Sequence, residues 1–234
     1  MARLNRLVVP GLAHHVVQRS VAGQEAFRGP TDHTLFKAAL RRSSSEWHVA
    51  VHAYVLLAHE FQLFVTPDGA SDLGRMMQAL SRFYVPAFNR RHGRVGALWQ
   101  GRYRAAPVGG SEALLACMRY IEQAPQRVAG LDAAAFAWSS AGAHAGEGGD
   151  AMLASVPADS AYWSLGNTPF EREAAYARLL EQPLTAAESA AVESTTLKGW
   201  AFGPGDFIAR LSDDSERRVA ATARGRPRGL KRGT

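Results

Sequence analysis

The sequence predicts an α+β fold: a ferredoxin-like antiparallel sheet with helices packed on one face. Three observations carry this. Four short stretches rich in apolar and β-branched residues fall near 14–19, 49–57, 61–66 and 98–108. Three stretches with apolar residues at helical spacing lie near 30–46, 72–90 and 111–122. Their order, β-α-β-β-α-β-α, is the split βαβ pattern. At 234 residues, 47% hydrophobic and 21% charged, the chain is long and apolar enough to bury a core.

Each element has a local reason. His14 to Arg19 alternates weakly around Val16 and Val17 and reads as a strand. Pro30 and Asp32 open a helix to about Glu46, with Leu35, Phe36, Ala39 and Leu40 on one face. Val49–Leu57 and Phe61–Thr66, separated by Ala58-His59-Glu60, read as a hairpin. Leu73, Met76, Met77, Leu80, Tyr84 and Phe88 recur at helical spacing between Asp72 and about Arg90. Gly93 and Gly96 mark a loop, Leu98 to Val108 a strand, and Ser111 the cap of a helix to about Glu122.

Beyond that the signals thin out. Residues 133–150 are rich in Ala and Gly, which suggests a surface loop or boundary. Phe170–Leu180 and Thr185–Leu197 read as two further helices with Pro183 between them. Thr168-Pro169, and Thr185 with Glu188, supply their start signals. The expected organisation is a main domain over 1–145, a linker over 146–168, a small helical appendage over 169–212 and a disordered basic tail over 213–234.

Composition narrows the function. It excludes a collagen, a wholly disordered chain and a disulfide scaffold. Cys117 is the single cysteine, so a cytoplasmic location is the default expectation. The longest near-apolar run, Val49 to Ala58, is about half the twenty residues a membrane helix needs. The N-terminal stretch, broken by Pro10, does not read as a secretory signal. Net charge is +6. No carboxylate lies between Asp72 and Glu112, where Arg75, Arg82, Arg90, Arg91, Arg94, Arg102 and Arg104 fall. Arg217, Arg218, Arg224, Arg226, Arg228, Lys231 and Arg232 follow Glu216, again without an acid among them. Such a distribution suits a polyanion, and arginine forks onto phosphate and stacks on bases.

One side chain stands out chemically. Leu114, Leu115, Met118 and Ile121 form one stripe of the third helix. Tyr120 lies about 200° from Met118 at 100° per residue, flanked by the small Ala113, Ala116, Cys117 and Ala124. The spacing therefore presents a phenol on the non-core face. A tyrosine oxygen can act as a nucleophile when activated; spacing alone leaves a purely structural tyrosine open.

Met118-Arg119-Tyr120-Ile121-Glu122, followed by Pro125, Arg127, Ala129 and Gly130, resembles the tyrosine-bearing helix of REP-associated tyrosine transposases. These are single-tyrosine HUH-type enzymes related to the insertion-sequence-200 group. Other pieces agree in order. They are Met1-Ala2-Arg3-Leu4 with Pro10-Gly11 and His14-His15-Val16, then Val51-His52-Ala53-Tyr54-Val55-Leu56. Phe88-Asn89-Arg90-Arg91-His92-Gly93-Arg94 and Leu98-Trp99-Gln100-Gly101-Arg102-Tyr103-Arg104 resemble the family's central arginine-rich stretch. Trp138-Ser139-Ser140 resembles the close of its domain, and Gly225-Arg226-Pro227-Arg228 the tail of longer members and an AT-hook core.

The resemblance implies binding of single-stranded or hairpin DNA in a nucleoid-associated role, by a monomer or homodimer. It also implies cleavage and joining through a 5′-phosphotyrosine formed by Tyr120. Arg90, Arg91, Arg94, Arg102 and Arg104 would contact phosphate, and Trp99 and Tyr103 would stack on bases. The family's Asn-His-hydrophobe-His metal strand is replaced by His59-Glu60-Phe61-Gln62. Glu60 and Gln62 share a strand face and offer oxygen donors to Mg²⁺ or Mn²⁺, whereas His59 points away. The helix position four residues after the tyrosine, often an amide, is Ala124. His14 and His15 are adjacent and face opposite ways, so they form no two-histidine site. His52 reads as a satisfied core or edge histidine, and Gly101 as a close backbone approach or a bulge. Two other readings remain: a DNA-binding protein of the same fold that has lost its metal, and a protein-interaction scaffold.

Overall fold

The computed structural model describes residues 6–215 and 217–220. The opening Met1-Ala2-Arg3-Leu4 and the tail motif Gly225-Arg226-Pro227-Arg228 lie outside the described residues. The expected elements form in the expected order: β1 (Ala13–Arg19), α1 (Pro30–Glu46), β2 (Val49–Leu57), β3 (Glu60–Pro67), α2 (Asp72–Arg91), β4 (Arg104–Val108) and α3 (Ser111–Glu122). There follow α4 (Ala124–Ala129), α5 (Ala141–His144), a 3₁₀ turn (Ala161–Leu165), α6 (Pro169–Glu181), α7 (Ala186–Lys198) and α8 (Gly205–Asp213). The sheet is antiparallel in the order β2-β3-β1-β4.

The fourth strand starts at Arg104, not at Leu98. Gly101 adopts a φ of +68°, and Trp99 makes only a single bridge to Ser20, so 98–103 is a loop against the end of β1. Ser111 is the first residue of α3; the cap position is Gly110, with a φ of +90°. Thr168 with Glu171, and Thr185 with Glu188, form complete capping boxes that start α6 and α7.

Helices cover both faces of the sheet rather than one. The strands say why: β2 is buried on its two alternating sets, Tyr54 and Leu56 against Ala53 and Val55. On one face α1 and α2 set Phe36, Leu40, Met76, Leu80, Tyr84 and Phe88 against Val16, Tyr54, Leu56, Leu63 and Val65. On the other, Leu114, Met118 and Ile121 of α3, Tyr176 and Leu180 of α6 and Val192 of α7 meet Val55, Phe64 and Val108. The helices α6 and α7 thus share this core rather than standing apart from it, while α8 packs Phe207 and Leu211 in a separate cluster with Leu7, Ala201 and Val219. The stretch expected as a linker adds Val156, Ala161 and Tyr162 to the shared core.

Register gathers one edge of the sheet. Arg19 ends β1 opposite Glu60, which begins β3. Leu57 ends β2 opposite the same Glu60, and Arg104 begins β4 opposite Val17. α1 starts and α2 ends here, since Asp32 meets Arg91 and His92. α3 brings Tyr120 back to the same edge, into a cleft shared with Arg19 and Glu60. Among the described residues no helix is long and apolar enough to cross a membrane.

Candidate nucleic-acid interface and tyrosine site

Tyr120 does not lie on an open face; it is only 6% exposed. The helical stripe alone implies one packed side for α3. In fact α3 is sandwiched between the sheet and the α6–α7 layer, so Cys117 behind the small-residue side is buried too. The His15 ring meets the Tyr120 ring edge-on at 5.6 Å, and the Arg127 guanidinium lies 4.0 Å above it. Burial raises the phenol above its ordinary value; Arg127 opposes this, while Glu193 and Glu60 reinforce it. The phenol is therefore held protonated rather than activated.

Glu60 and Gln62 share the Tyr120 face of β3, as the alternation predicts, but they belong to a closed chain of hydrogen bonds. Gln62 donates through Nε2 to Glu60 Oε1 at 2.6 Å. Arg19 donates through Nε to Glu60 Oε2 at 2.8 Å and through Nη2 to Glu193 Oε1 at 3.1 Å. His15 bonds Gln62 Oε1 at 3.1 Å through Nε2, and Thr196 Oγ1 at 2.8 Å through Nδ1. Burial pushes the His15 imidazole down to about 4, so it is neutral. Acceptance at Gln62 Oε1 then assigns the proton to Nε2, and Thr196 donates to Nδ1.

These donors do not fit a divalent ion. Both oxygens of Glu60, the carbonyl of Gln62 and both nitrogens of His15 are already engaged. The cation beside Glu60 is Arg19, and an added Mg²⁺ or Mn²⁺ would have to displace it and stand near Arg127. No group of three or more His, Cys, Asp or Glu able to hold a metal occurs among the described residues. His59 turns away, as expected, and bonds Gln24 O at 2.9 Å. Ala124 is fully buried. The amide beside it, Gln123, is spent on the end of α6, donating to Leu179 O at 3.1 Å, Leu180 O at 3.0 Å and Gln182 O at 2.7 Å.

The arginine stretch divides. Arg90 and Arg91 end α2, exposed, with Arg91 3.4 Å from Asp32. Arg102 and Arg104 are exposed, and register puts Arg104 on the Tyr120 face. Arg94 turns inward and pins its own loop, bonding Asn89 Oδ1 at 2.7 Å, Ala97 O at 3.1 Å and Gln24 Oε1. Neither expected stacking ring lies open. Tyr103 is buried, with the Arg6 guanidinium 3.7 Å over it. Trp99 is half-buried, 5.2 Å from the Phe61 ring and stacked 6.1 Å from Tyr84. Arg75 starts α2 and so stands toward the opposite edge.

A cleft of about 560 Å³ opens beside Tyr120. Arg19, Glu60, Gln62, Arg127 and Glu193 form its polar side; Phe27, His33, Leu56, Phe136 and Trp138 line the rest. Sequence reasoning placed Arg127 and Trp138 within motifs but gave neither a role at this site, and it missed Arg19, His15, Glu193 and Thr196. Arg19 could have been found from strand pairing. Thr196 and Glu193 come from a helix 181 and 174 residues away from their partners, and no local signal announces them.

The fold class is a four-stranded antiparallel α+β sandwich of sheet and helices. A solved REP-associated tyrosine transposase, bound to a REP hairpin, is similar to this chain with a TM-score of 0.53 and 14% identity. The match covers 67% of this chain and 97% of that one. At this identity the likeness is one of fold. No family model and no curated protein matches the sequence.

Proposed function

We propose that this chain recognises DNA, as a hairpin or single strand, at the Tyr120 edge of its sheet. The observation that carries the reading is that Arg19 and Arg127 line one cleft, at the end of the sheet where register also puts exposed Arg104. The two carboxylates there, Glu60 and Glu193, are bridged by Arg19, and Arg127 in the same cleft brings the count to two cations against two acids. A cationic rim without net acid attracts a phosphate backbone. The hairpin-bound transposase of like fold supports DNA as the polyanion.

The reading is recognition rather than cleavage. A phosphotyrosine mechanism needs an activated phenol and a cation on the scissile phosphate. Here the phenol is held protonated, and the residues at the metal positions are bonded to each other and to Arg19. The presence of Arg127 over Tyr120 favours the second reading, tyrosine cleavage, because a guanidinium can also hold a phosphate.

The test is a titration of labelled hairpin DNA carrying single-stranded arms, at several salt concentrations. Affinity should fall steeply with salt, and Arg104→Ala with Arg127→Ala should lower it about tenfold or more. Salt-independent or absent binding would sink the proposal and leave the scaffold reading. The same mixtures, with Mn²⁺ or Mg²⁺, should show no covalent band on a denaturing gel. A band lost in Tyr120→Phe would establish the enzyme.

A further inference from the structure

We infer that the seam between α1 and α2 is a docking surface for a second copy of this chain. That copy presents exposed Phe170 and the carboxylates around it, at the start of its α6. The residues of the DNA reading lie elsewhere, at the Tyr120 edge.

The seam is cationic. The carboxylates of its two helices stand at their ends: Asp32 and Asp72 in the first turns, and Glu46 as the last residue of α1. Lys37 pairs with Asp150, and Arg91 with Asp32. Arg41, Arg42, Arg75, Arg82 and Arg90 are left with no ion pair among the described residues. The centre is apolar. At about 100° per residue, Leu35, Ala38 and Arg42 share one stripe of α1, and Ala79, Phe83 and Pro86 one stripe of α2. The Arg42 guanidinium lies 4.2 Å over the Phe83 ring, so the two stripes meet across the seam. Leu35 and Phe83 are 38% and 39% exposed. An apolar centre with an arginine rim is the composition of a protein interface, whereas a phosphate groove is polar throughout.

The start of α6 is the complement. Phe170 is 79% exposed, the most exposed aromatic side chain among the described residues, and belongs to none of the apolar clusters. Glu171 and Glu173 follow it on α6. Glu147 follows the Gly146 turn that backs onto Glu173, and Asp159 stands just before the 3₁₀ turn that packs on α6. The cation among these acids, Arg172, is turned over the Trp163 ring at 5.0 Å and donates to Gly166 O at 3.0 Å. In the docked pair Phe170 lies in the seam beside Phe83 and Leu35, with the carboxylates around it meeting Arg42 and Arg82.

Placement decides the form of the assembly. α1 and α2 cover one face of the sheet and α6 the other. A copy that docks by its α6 corner therefore leaves its own seam open. The contact is heterologous, so association runs on past two copies. α6 ends against Gln123, near Tyr120, and its thirteen residues put its start about 20 Å away. Docking at that corner leaves the Tyr120 edge free.

Analytical ultracentrifugation of the full chain at rising concentration reads the average mass. It should climb without a plateau at two copies, and fall back toward one copy as salt rises from about 0.05 to about 0.5 M. Arg42→Glu with Arg82→Glu blocks the seam, and Phe170→Arg blocks the corner; each should weaken association about a hundredfold or more. Phe170→Ala leaves the charge unchanged and should weaken it about tenfold. All these side chains are exposed, so unchanged thermal unfolding checks that the variants fold. The decisive sample mixes the two blocked variants. Each keeps one working surface, so together they should form a one-to-one pair and nothing larger.

A wild type that keeps the mass of one copy at every concentration would overturn the docking surface. So would a mass that stops at two copies, or a mixture of the blocked variants that forms no pair. If association is absent and Arg42→Glu with Arg82→Glu instead loses affinity for duplex DNA, the seam is a nucleic-acid surface. The hairpin titration with Arg104→Ala and Arg127→Ala depends on other residues, so the DNA reading stands or falls separately.

Discussion

The two faces of the sheet are stabilised by different chemistry. Under α1 and α2 the centre is apolar, Phe36, Leu40, Met76, Leu80 and Phe88 against Val16, Leu56, Leu63 and Val65, and the polar groups, Asp32 with His92 and Tyr54 with Asp150, stand at its margins. Under α3, α6 and α7 the apolar core is crossed by buried polar chains. His15, Gln62 and Thr196 form one. Glu122 centres another: it is fully buried and accepts from Tyr176 Oη at 2.5 Å, His144 Nδ1 at 2.7 Å and Ser140 Oγ. An apolar layer tolerates small shifts, whereas a satisfied buried network holds each member in one position. The face that carries Tyr120 is therefore the rigidly specified one.

Breaking the polar face should cost most. Glu122→Ala strips the hydroxyls of Tyr176 and Ser140 and the imidazole of His144 of their common partner. We expect a loss of about 3–5 kcal/mol, read as a lower denaturant midpoint. Leu80→Ala, 1% exposed on the apolar face, should cost about 2–5 kcal/mol, governed by how far the cavity collapses. Glu122→Gln, which keeps one acceptor, should fall between the wild type and Glu122→Ala. If Glu122→Ala unfolds no more easily than a surface variant, the contrast between the faces fails.

Acid should sharpen the comparison next. Burial pushes His14 and His15 down to about 4 from an ordinary 6.5. The unfolded chain then binds protons that the native chain refuses, so stability falls as pH drops from about 6.5 to about 4. Each group contributes about 3 kcal/mol to that fall. His144 runs the other way. Burial alone would lower it, but the Glu122 carboxylate and its hydrogen bond hold it above its ordinary value. Its contribution is complete below 6.5 and is lost as pH rises through the native value. Urea melts across pH 4–8 should show the acid loss, and His15→Gln should remove about half of it.

These two tests also mark what the sequence could say. Strand order, α1 to α3 and the boxes that start α6 and α7 follow from period and capping residues, which are local. The apolar set of α2 was readable from Leu73 to Phe88 for the same reason. The second layer was not, because α6 and α7 have only short buried stripes, Tyr176 with Leu180 and Val192 with Thr196. Their weight comes from what they cover. The site followed the same rule. Tyr120, Glu60 and Gln62 were found from motif and alternation, but Tyr120 was placed outward because its covering helices were unseen. Arg19 as the cation at Glu60 depends on strand register, and Glu193 on a helix joined to it only by the fold.

Metal binding should show an intermediate effect. Wild type should show no saturable Mn²⁺ binding in calorimetry. Glu60→His with Gln62→His, in an Arg19→Ala background, places imidazoles on the face that already holds His15 and removes the competing cation. That variant should bind Mn²⁺ or Zn²⁺ measurably, with affinity falling below about pH 6 as the imidazoles protonate. Saturable binding in the wild type, abolished by Glu60→Ala, would show that the hydrogen-bonded chain opens for a metal after all.

The smallest expected effect is the most telling. If the edge recognises DNA, Tyr120 serves as packing, with His15 against its ring edge and Arg127 over its face. Tyr120→Phe keeps the ring, so both ring contacts survive and only the hydrogen bond with Arg127 is lost. Stability should move by about 1 kcal/mol or less, the net contribution of one hydrogen bond. Affinity for armed hairpin DNA should stay within about twofold, since cation–π contacts of this kind contribute only about 0.5–1 kcal/mol and Phe retains most of that. Arg127→Ala, by contrast, removes a cation from the rim and should reduce the salt slope by about one. A nucleophile behaves differently: Tyr120→Phe would leave binding intact and abolish a covalent product. A wild type that forms no covalent product, a neutral Tyr120→Phe and a costly Arg127→Ala together place the function of this edge in its guanidiniums and not in its phenol.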